Sequence, residues 1–137
     1  MENRIIKKTD GRITALAGMD LPQDWWSRGY EYHFALDFAR PSQVVTDAGC
    51  GWMYRPLKNA IAEIVGKVYA VDANDKLLEQ QRPDNMEFVV SKMEHTPIPD
   101  KECDIVFCIS VLEDIQDPAP ALKEFARILK DDGRIVI

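Results

Sequence analysis

The chain is 137 residues long, 46% hydrophobic and 29% charged, with a formal net charge of −6. That length supports one domain burying roughly two-thirds of its unfolded surface, and the balance excludes disordered, fibrous and disulfide-stapled classes. Acidic residues are spread along the chain, so no basic footprint for nucleic acid appears, and no stretch approaches the ~20 apolar residues of a membrane span.

Cys50, Cys103 and Cys108 are odd in number and lack CxxC spacing, which points to neither a disulfide framework nor a zinc site. Each reads as a small buried apolar residue. The N-terminal MENRIIKKTDGR holds no apolar run of signal-peptide length, so the expected setting is cytoplasmic, with no metal site, no nucleic acid and no membrane among the partners.

Residues 1–40 read as an N-terminal hairpin and helical segment that precedes the main unit, residues 41–137, within a single structural domain. Short apolar stretches between Arg4 and Leu16 flank Thr9-Asp10-Gly11-Arg12, the pattern of a hairpin or of a loose turn. From Asp24 to Ala39 the residues Trp25, Trp26, Tyr30, Phe34, Ala35 and Phe38 recur at helical spacing until Pro41 stops the pattern.

From Val44 onward short apolar runs alternate with helical stretches. Val44 to Ala48, Lys67 to Val71, Glu87 to Val90, Asp104 to Ile109 and Arg134 to Ile137 read as five strands, rich in Val and Ile as strands buried on both faces should be. Pro56 to Val65 reads as a helix with proline in its first turn, and Asp75 to Gln81 as a shorter one. Pro118 to Lys130 reads as a helix with Leu122, Phe125, Ala126 and Leu129 on its apolar face, ended by Asp131-Asp132-Gly133. Such alternation predicts an α/β fold, a doubly wound and mostly parallel sheet of about five strands with helices on both faces.

The first of these strands runs into Gly49-Cys50-Gly51. Ligands of open α/β sheets bind beyond the carboxyl ends of the strands, and glycines there let the backbone approach a ligand and present free N–H groups. An isolated GxG also serves as a plain strand-to-helix turn. The next strand ends in Asp72, where a carboxylate can accept from both hydroxyls of a ribose, and the pair of features favours a nucleoside site. A dinucleotide turn has a third glycine close to the pyrophosphate, whereas Trp52, Met53 and Tyr54 are bulky here, which disfavours a nicotinamide-dependent oxidoreductase.

DAGCG resembles the first motif of class I S-adenosylmethionine-dependent methyltransferases, and YAVDAN the acidic segment after their second strand. MEHTPIPDKECDIVFCISVLEDI resembles the family's stretch from a Pro-rich turn through the fourth strand to an acidic loop, and LKDDGRIVI its turn into the fifth strand. The resemblance covers roughly Val44 to Ile137. It implies sheet order 3-2-1-4-5 and S-adenosylmethionine as cofactor, with Asp47, Gly49, Cys50 and Gly51 shaping the methionine pocket and Asp72 holding the ribose. It also implies Ala73 and Asn74 along one adenine face, Lys92, Met93 and Glu94 in the loop against the other, and Ile109 and Ser110 near the sulfonium. Two departures stand out: Met53 replaces a further glycine, and Lys92 stands where many relatives place an aspartate, although a lysine cannot accept a hydrogen bond.

The implied activity is in-line methyl transfer to an unidentified, small-molecule acceptor. A sulfonium already activates its methyl group, so positioning the nucleophile can supply much of the rate, and a base is needed only if the acceptor must lose a proton. No catalytic residue is assigned; His33, His95, Glu113 and Tyr54 are candidates, each with a structural alternative. Trp25, Trp26, Tyr30, Tyr32 and Phe34 fit either a substrate cage or core packing, and Glu31 and Tyr32 are further pocket candidates. Family members continue past the fifth strand with a helix and two more strands, which this chain lacks. An apolar edge there should pair with another chain, be covered by the N-terminal segment, or have lost its partner by truncation, a homodimer being one expectation, and the shorter scaffold leaves a non-catalytic cofactor-binding module as the rival reading.

Overall fold

The computed structural model describes residues 7–53 and 56–137. After a 3-10 turn at Lys8–Asp10 come strands β1 (Ala15–Leu16) and β2 (Met19–Asp20), helix α1 (Arg28–Leu36), strand β3 (Val44–Ala48), helix α2 (Leu57–Ala62) and strand β4 (Lys67–Asp72). A 3-10 helix at Asp75–Glu79, strands β5 (Met86–Val90) and β6 (Cys103–Phe107), a 3-10 turn at Leu112–Asp114, helix α3 (Ala119–Ile128) and strand β7 (Leu129–Val136) complete it.

The last five strands form one sheet in the order β5-β4-β3-β6-β7, with every neighbouring pair parallel. Counted from β3, this is the order 3-2-1-4-5 that the resemblance implies. Alternation along each strand builds two cores. Val45, Val68, Ala70, Ile105 and Phe107 face Tyr32 and Ala35 of α1 and Leu57, Ala60 and Ile61 of α2. Tyr69, Val71, Val89, Val106 and Cys108 face the opposite way, onto Ala121, Phe125 and Ile128 of α3. Burial on both faces explains why β3, β4 and β6 are rich in Val and Ala and other apolar residues. Leu16 and Leu21 beside the β1–β2 hairpin join the first core, so the N-terminal segment shares its apolar interior with the sheet.

Three local expectations are corrected. The hairpin turns at Ala17-Gly18, with φ of 48° and 73°, as a two-residue turn with positive φ at both positions requires. Asp10-Gly11 instead closes the 3-10 turn, and the beginning of the stretch expected as a strand lies outside the described residues. Phe125 and Leu129 of the expected apolar face of α3 are buried, but Leu122 and Ala126 are exposed and Ala121, Glu124 and Ile128 are buried instead, a rotation of part of the face. The rotation sinks Glu124 beside Thr96, where it is fully hydrogen-bonded. Finally, α3 ends at Ile128, and Asp131-Asp132-Gly133 lie inside β7. Cys103 aligns with Leu129 but Ile105 with Arg134, so β7 carries extra residues in a bulge. Lys130 anchors that bulge through Asp104 at 2.7 Å.

Candidate functional site

Because all five strands are parallel, the ends of β3, β4, β5 and β6 gather along one rim. The turn leaving β3 folds back over β4: Gly49 N–H and Cys50 N–H both donate to the Val71 carbonyl, at 2.8 and 3.0 Å. That geometry needs φ of 74° at Gly49 and 79° at Gly51, which residues with a Cβ rarely adopt. A Cβ on Gly49 would also lie 2.6 Å from Val111 Cγ1, so the turn and the loop after β6 touch at that point.

Asp72 ends β4 against this turn. Its Oδ2 accepts from Gly51 N–H and its Oδ1 from Asn74 N–H, both at 2.9 Å, which fixes the carboxylate plane. Each oxygen keeps a lone pair, the arrangement that a vicinal diol needs. Asn74 in turn caps the next 3-10 helix by accepting from Lys76 N–H at 3.0 Å. On the α2 side the Gly51 carbonyl accepts from Lys58 Nζ at 3.1 Å, although Lys58 is buried. Sequence reasoning missed Lys58; its only signal is a lysine at the second position of a helix that starts just past the glycine turn.

Two clefts meet at Asp72 and Ala73. The larger, about 820 Å³, is lined by Gly51, Trp52, Met53, Asn74 and Asp75 in addition to that pair. Gln80 braces two of the lining residues, donating to the Met53 carbonyl at 2.9 Å and to the Trp52 carbonyl, while Lys76 Nζ sits 4.8 Å from the Trp52 ring centre. The smaller, about 300 Å³, is lined by Gly49, Val71, Ser91, Lys92, Met93, Glu94, Val111, Asp114 and Ile115 together with Asp72 and Ala73. The carboxylates of Asp72, Asp75, Glu94 and Asp114 outnumber Lys92 among the lining residues, so the rim attracts cations and opposes a diphosphate. A sulfonium nucleoside without phosphates fits this donor and charge set.

Of the residues expected at the cofactor, Gly49, Gly51, Asp72, Ala73, Asn74, Met93 and Glu94 line one cleft or both. Asp47, Cys50 and Ile109 are buried beneath the rim instead. Ser110 is half-buried, has φ of 53°, and donates from Oγ to Glu31 Oε2 at 2.8 Å. Glu31 thus ties α1 to the end of β6, whereas Tyr32 is a core residue at 1% exposure. Val111, Asp114 and Ile115 went unread, although they fall within the acidic loop of the motif.

Among the candidate bases, His33, His95 and Glu113 line neither cleft, and Tyr54 lies outside the described residues. The aromatics form separate pairs, Trp25 with Tyr32, Trp26 with Tyr30 and Phe34 with Phe38, so they do not converge as one cage. Burial pushes the Cys103 thiol up to about 11 and the Cys108 thiol up to about 12, which keeps both protonated and poorly nucleophilic.

The loop after β5 is pinned from α3. Glu124 accepts from Thr96 N–H at 2.7 Å, Thr96 Oγ1 at 2.8 Å, and Arg127 Nε and Nη2 at 2.9 and 2.6 Å. Arg127 also donates to the carbonyls of Thr96 and Ile98. The Arg127 guanidinium, opposed by burial and helped by Thr96, holds the Glu124 carboxyl down at about 2.

Residues 46–137 match the family described as "Methyltransferase domain". A protein of Mycobacterium tuberculosis named a "Probable S-adenosylmethionine-dependent methyltransferase" is 26% identical over 121 residues, covering 87% of this chain and 43% of that protein. The "Ubiquinone/menaquinone biosynthesis C-methyltransferase UbiE" of Vibrio vulnificus is 29% identical over 152 residues, covering 99% of this chain and 58% of its own length. The crystal structure of YcgJ from Bacillus subtilis superposes with a TM-score of 0.69 at 26% identity, over 77% of this chain and 48% of YcgJ. The chain therefore spans about half the length of these relatives. With the parallel sheet, the glycine turn and Asp72 at the end of β4 in place, this chain belongs to the class I S-adenosylmethionine-dependent methyltransferase family, whose cofactor is S-adenosylmethionine.

Proposed function

We propose that the chain binds S-adenosylmethionine across the rim of β3, β4, β5 and β6 and transfers its methyl group in line to a small-molecule acceptor. The observation that carries this reading is Asp72, whose two oxygens are oriented by Gly51 and Asn74 with lone pairs to spare. When bound, the cofactor supplies an electrophilic methyl on a positively charged sulfur. Asp72 grips the ribose hydroxyls, Ala73 and Met93 flank the adenine, and Gly49 leaves room for the methionine chain. Asp47, Cys50 and Ile109 support the turn from below, while Asn74 and Glu94 border the base and Ser110 the sulfonium. The excess of carboxylates at the rim favours the cationic substrate form over the neutral product.

A small acceptor suits the acidic surface and the modest clefts, and the Vibrio relative is named for a small-molecule pathway. Transfer of a labelled methyl group to a panel of small molecules tests the reading. Binding of S-adenosylhomocysteine without transfer to any acceptor class would favour the rival, a cofactor-binding module that does no chemistry. That rival draws support from His33, His95 and Glu113 all standing away from the clefts.

A cytoplasmic setting and a homodimer belong to the same proposal. Three buried cysteines outside any disulfide accord with a reducing compartment, and among the described residues no helix is long and apolar enough to cross a membrane. Strand β7 ends the sheet with Ile135 and Ile137 exposed, which suits edge pairing between two copies. Sedimentation showing only monomer at micromolar concentration overturns the dimer.

A further inference from the structure

We infer that Gln80 is a positioning residue for the ribose grip: it ties the glycine turn to the segment after β4, and so holds ready the Gly51 and Asn74 N–H groups that orient Asp72. This rests on Asp72 meeting the ribose of the cofactor.

Gly51 is where the cradle is loosest. Its N–H points at Asp72 Oδ2, at 2.9 Å, from a backbone with φ of 79°, and a glycine adopts many other conformations at little cost. The peptide groups that follow are held by side chains from two directions. The Gly51 carbonyl accepts from Lys58 Nζ at 3.1 Å, and the Trp52 and Met53 carbonyls both accept from Gln80 Nε2, the latter at 2.9 Å. Because each peptide group is planar, fixing successive carbonyls fixes the planes that carry them and restricts how far the glycine can swing.

Gln80 is itself anchored to Asp72 from the other side. Asn74 N–H donates to Asp72 Oδ1 at 2.9 Å, and Asn74 Oδ1 caps the 3-10 helix Asp75–Glu79 by accepting from Lys76 N–H at 3.0 Å. That helix is rooted by Leu77, which is fully buried, and it ends where Gln80 N–H donates to the Leu77 carbonyl at 3.2 Å. The contacts therefore close a ring. It runs from Asp72 through Asn74 and the helix to Gln80, across to Met53 and Trp52, and back through Gly51 to Asp72. The larger cleft is lined by both arcs of this ring, Gly51, Trp52 and Met53 on one and Asn74 and Asp75 on the other.

Apart from Asp72, the side chains that join the two arcs among the described residues are Gln80 and Lys76. Lys76 is exposed and adds only a cation–ring contact with Trp52 at 4.8 Å, which is weak at such a site. Gln80 supplies hydrogen bonds to two adjacent carbonyls. Without its donors those carbonyls turn to water and the glycine turn loosens. Binding must then order the turn as well as the ligand, and affinity falls by that ordering cost.

Calorimetry with S-adenosylhomocysteine on a double-variant cycle tests the brace. Gln80→Met keeps the length of the side chain and removes its donors, and it should weaken binding about fivefold to tenfold. Asp72→Asn should weaken binding by about tenfold or more. The double variant should stay within about twofold of Asp72→Asn alone, because the brace acts through that carboxylate. Losses that multiply in the double variant would show that Gln80 supports the fold and not the ribose grip, and would overturn the inference. A Gln80→Met chain that binds like the wild type overturns it too. If Gln80→Met fails to fold, Gln80→Glu, whose ionised side chain also lacks an N–H, takes its place in the cycle. An Asp72→Asn chain with wild-type affinity, or a wild type that does not bind the probe, removes instead the ribose or cofactor reading, and the brace falls with it.

Discussion

The Gly51 N–H donates to Asp72 Oδ2 at 2.9 Å, joining the turn after β3 to the end of β4 across 21 residues of sequence. The carboxylate is thereby oriented before any ligand arrives, which lowers the ordering cost of binding. Asp72→Asn keeps the shape but loses the charge and one acceptor. S-adenosylhomocysteine affinity measured by calorimetry should fall by about tenfold or more, from the loss of charge-assisted bonds to the diol. A dissociation constant equal to the wild type would show that Asp72 is not at the ribose.

Gly49→Ala meets two obstacles, a φ of 74° and a Val111 Cγ1 at 2.6 Å from the new Cβ. The backbone contributes about 1 to 2 kcal/mol and the overlap a further ~1 to 3 kcal/mol. Urea unfolding should show the sum. In the double variant with Val111→Ala the overlap should be relieved and the backbone cost should remain. A double variant no more stable than Gly49→Ala contradicts the contact.

Glu124 links stability to pH. Its carboxyl titrates at about 2 in the folded chain against an ordinary 4.5, so the unfolded state binds the proton first as pH falls. The stabilisation is complete above pH 4.5 and is lost as pH drops from there toward about 2. Allowing for solvent around the half-exposed Arg127, its size is about 2 kcal/mol. Glu124→Gln should lose that amount at pH 7, with the gap to wild type narrowing at pH 3. An equal gap at both pH values rules out this origin. The same variant should loosen the Lys92-to-Glu94 loop and weaken cofactor binding.

The three cysteines are buried, and Cys103 and Cys108 have raised thiol pKa values. An aromatic disulfide reagent at pH 8 should titrate none of them rapidly in the native chain and all three after denaturation. Rapid native reaction of any one would mean that its surroundings open readily.

The strands could be read from sequence because the faces of a parallel sheet are largely dry, so β3 to β6 stand out as short Val-rich apolar runs. Glycine and aspartate at the ends of β3 and β4 were equally legible, since local backbone geometry and a short motif dictate them. Where sequence reasoning slipped, partners remote in the chain decided. Glu124 is sunk by Thr96 and Arg127, which turns α3 away from its most apolar stripe, and Asp104 holds Lys130 so that a bulge replaces the expected helix stop. Lys58 has as signal only its place just past the glycine turn and Val111 only its place in the acidic loop, while the meeting of Glu31 with Ser110 has no local signature. Composition and period determined the elements and their parallel arrangement, and the resemblance of the motifs implied the cofactor class. Only the tertiary structure decided which side chains share the rim, because hydrogen bonds and packing between distant segments are set by how the elements dock and leave no pattern along the chain.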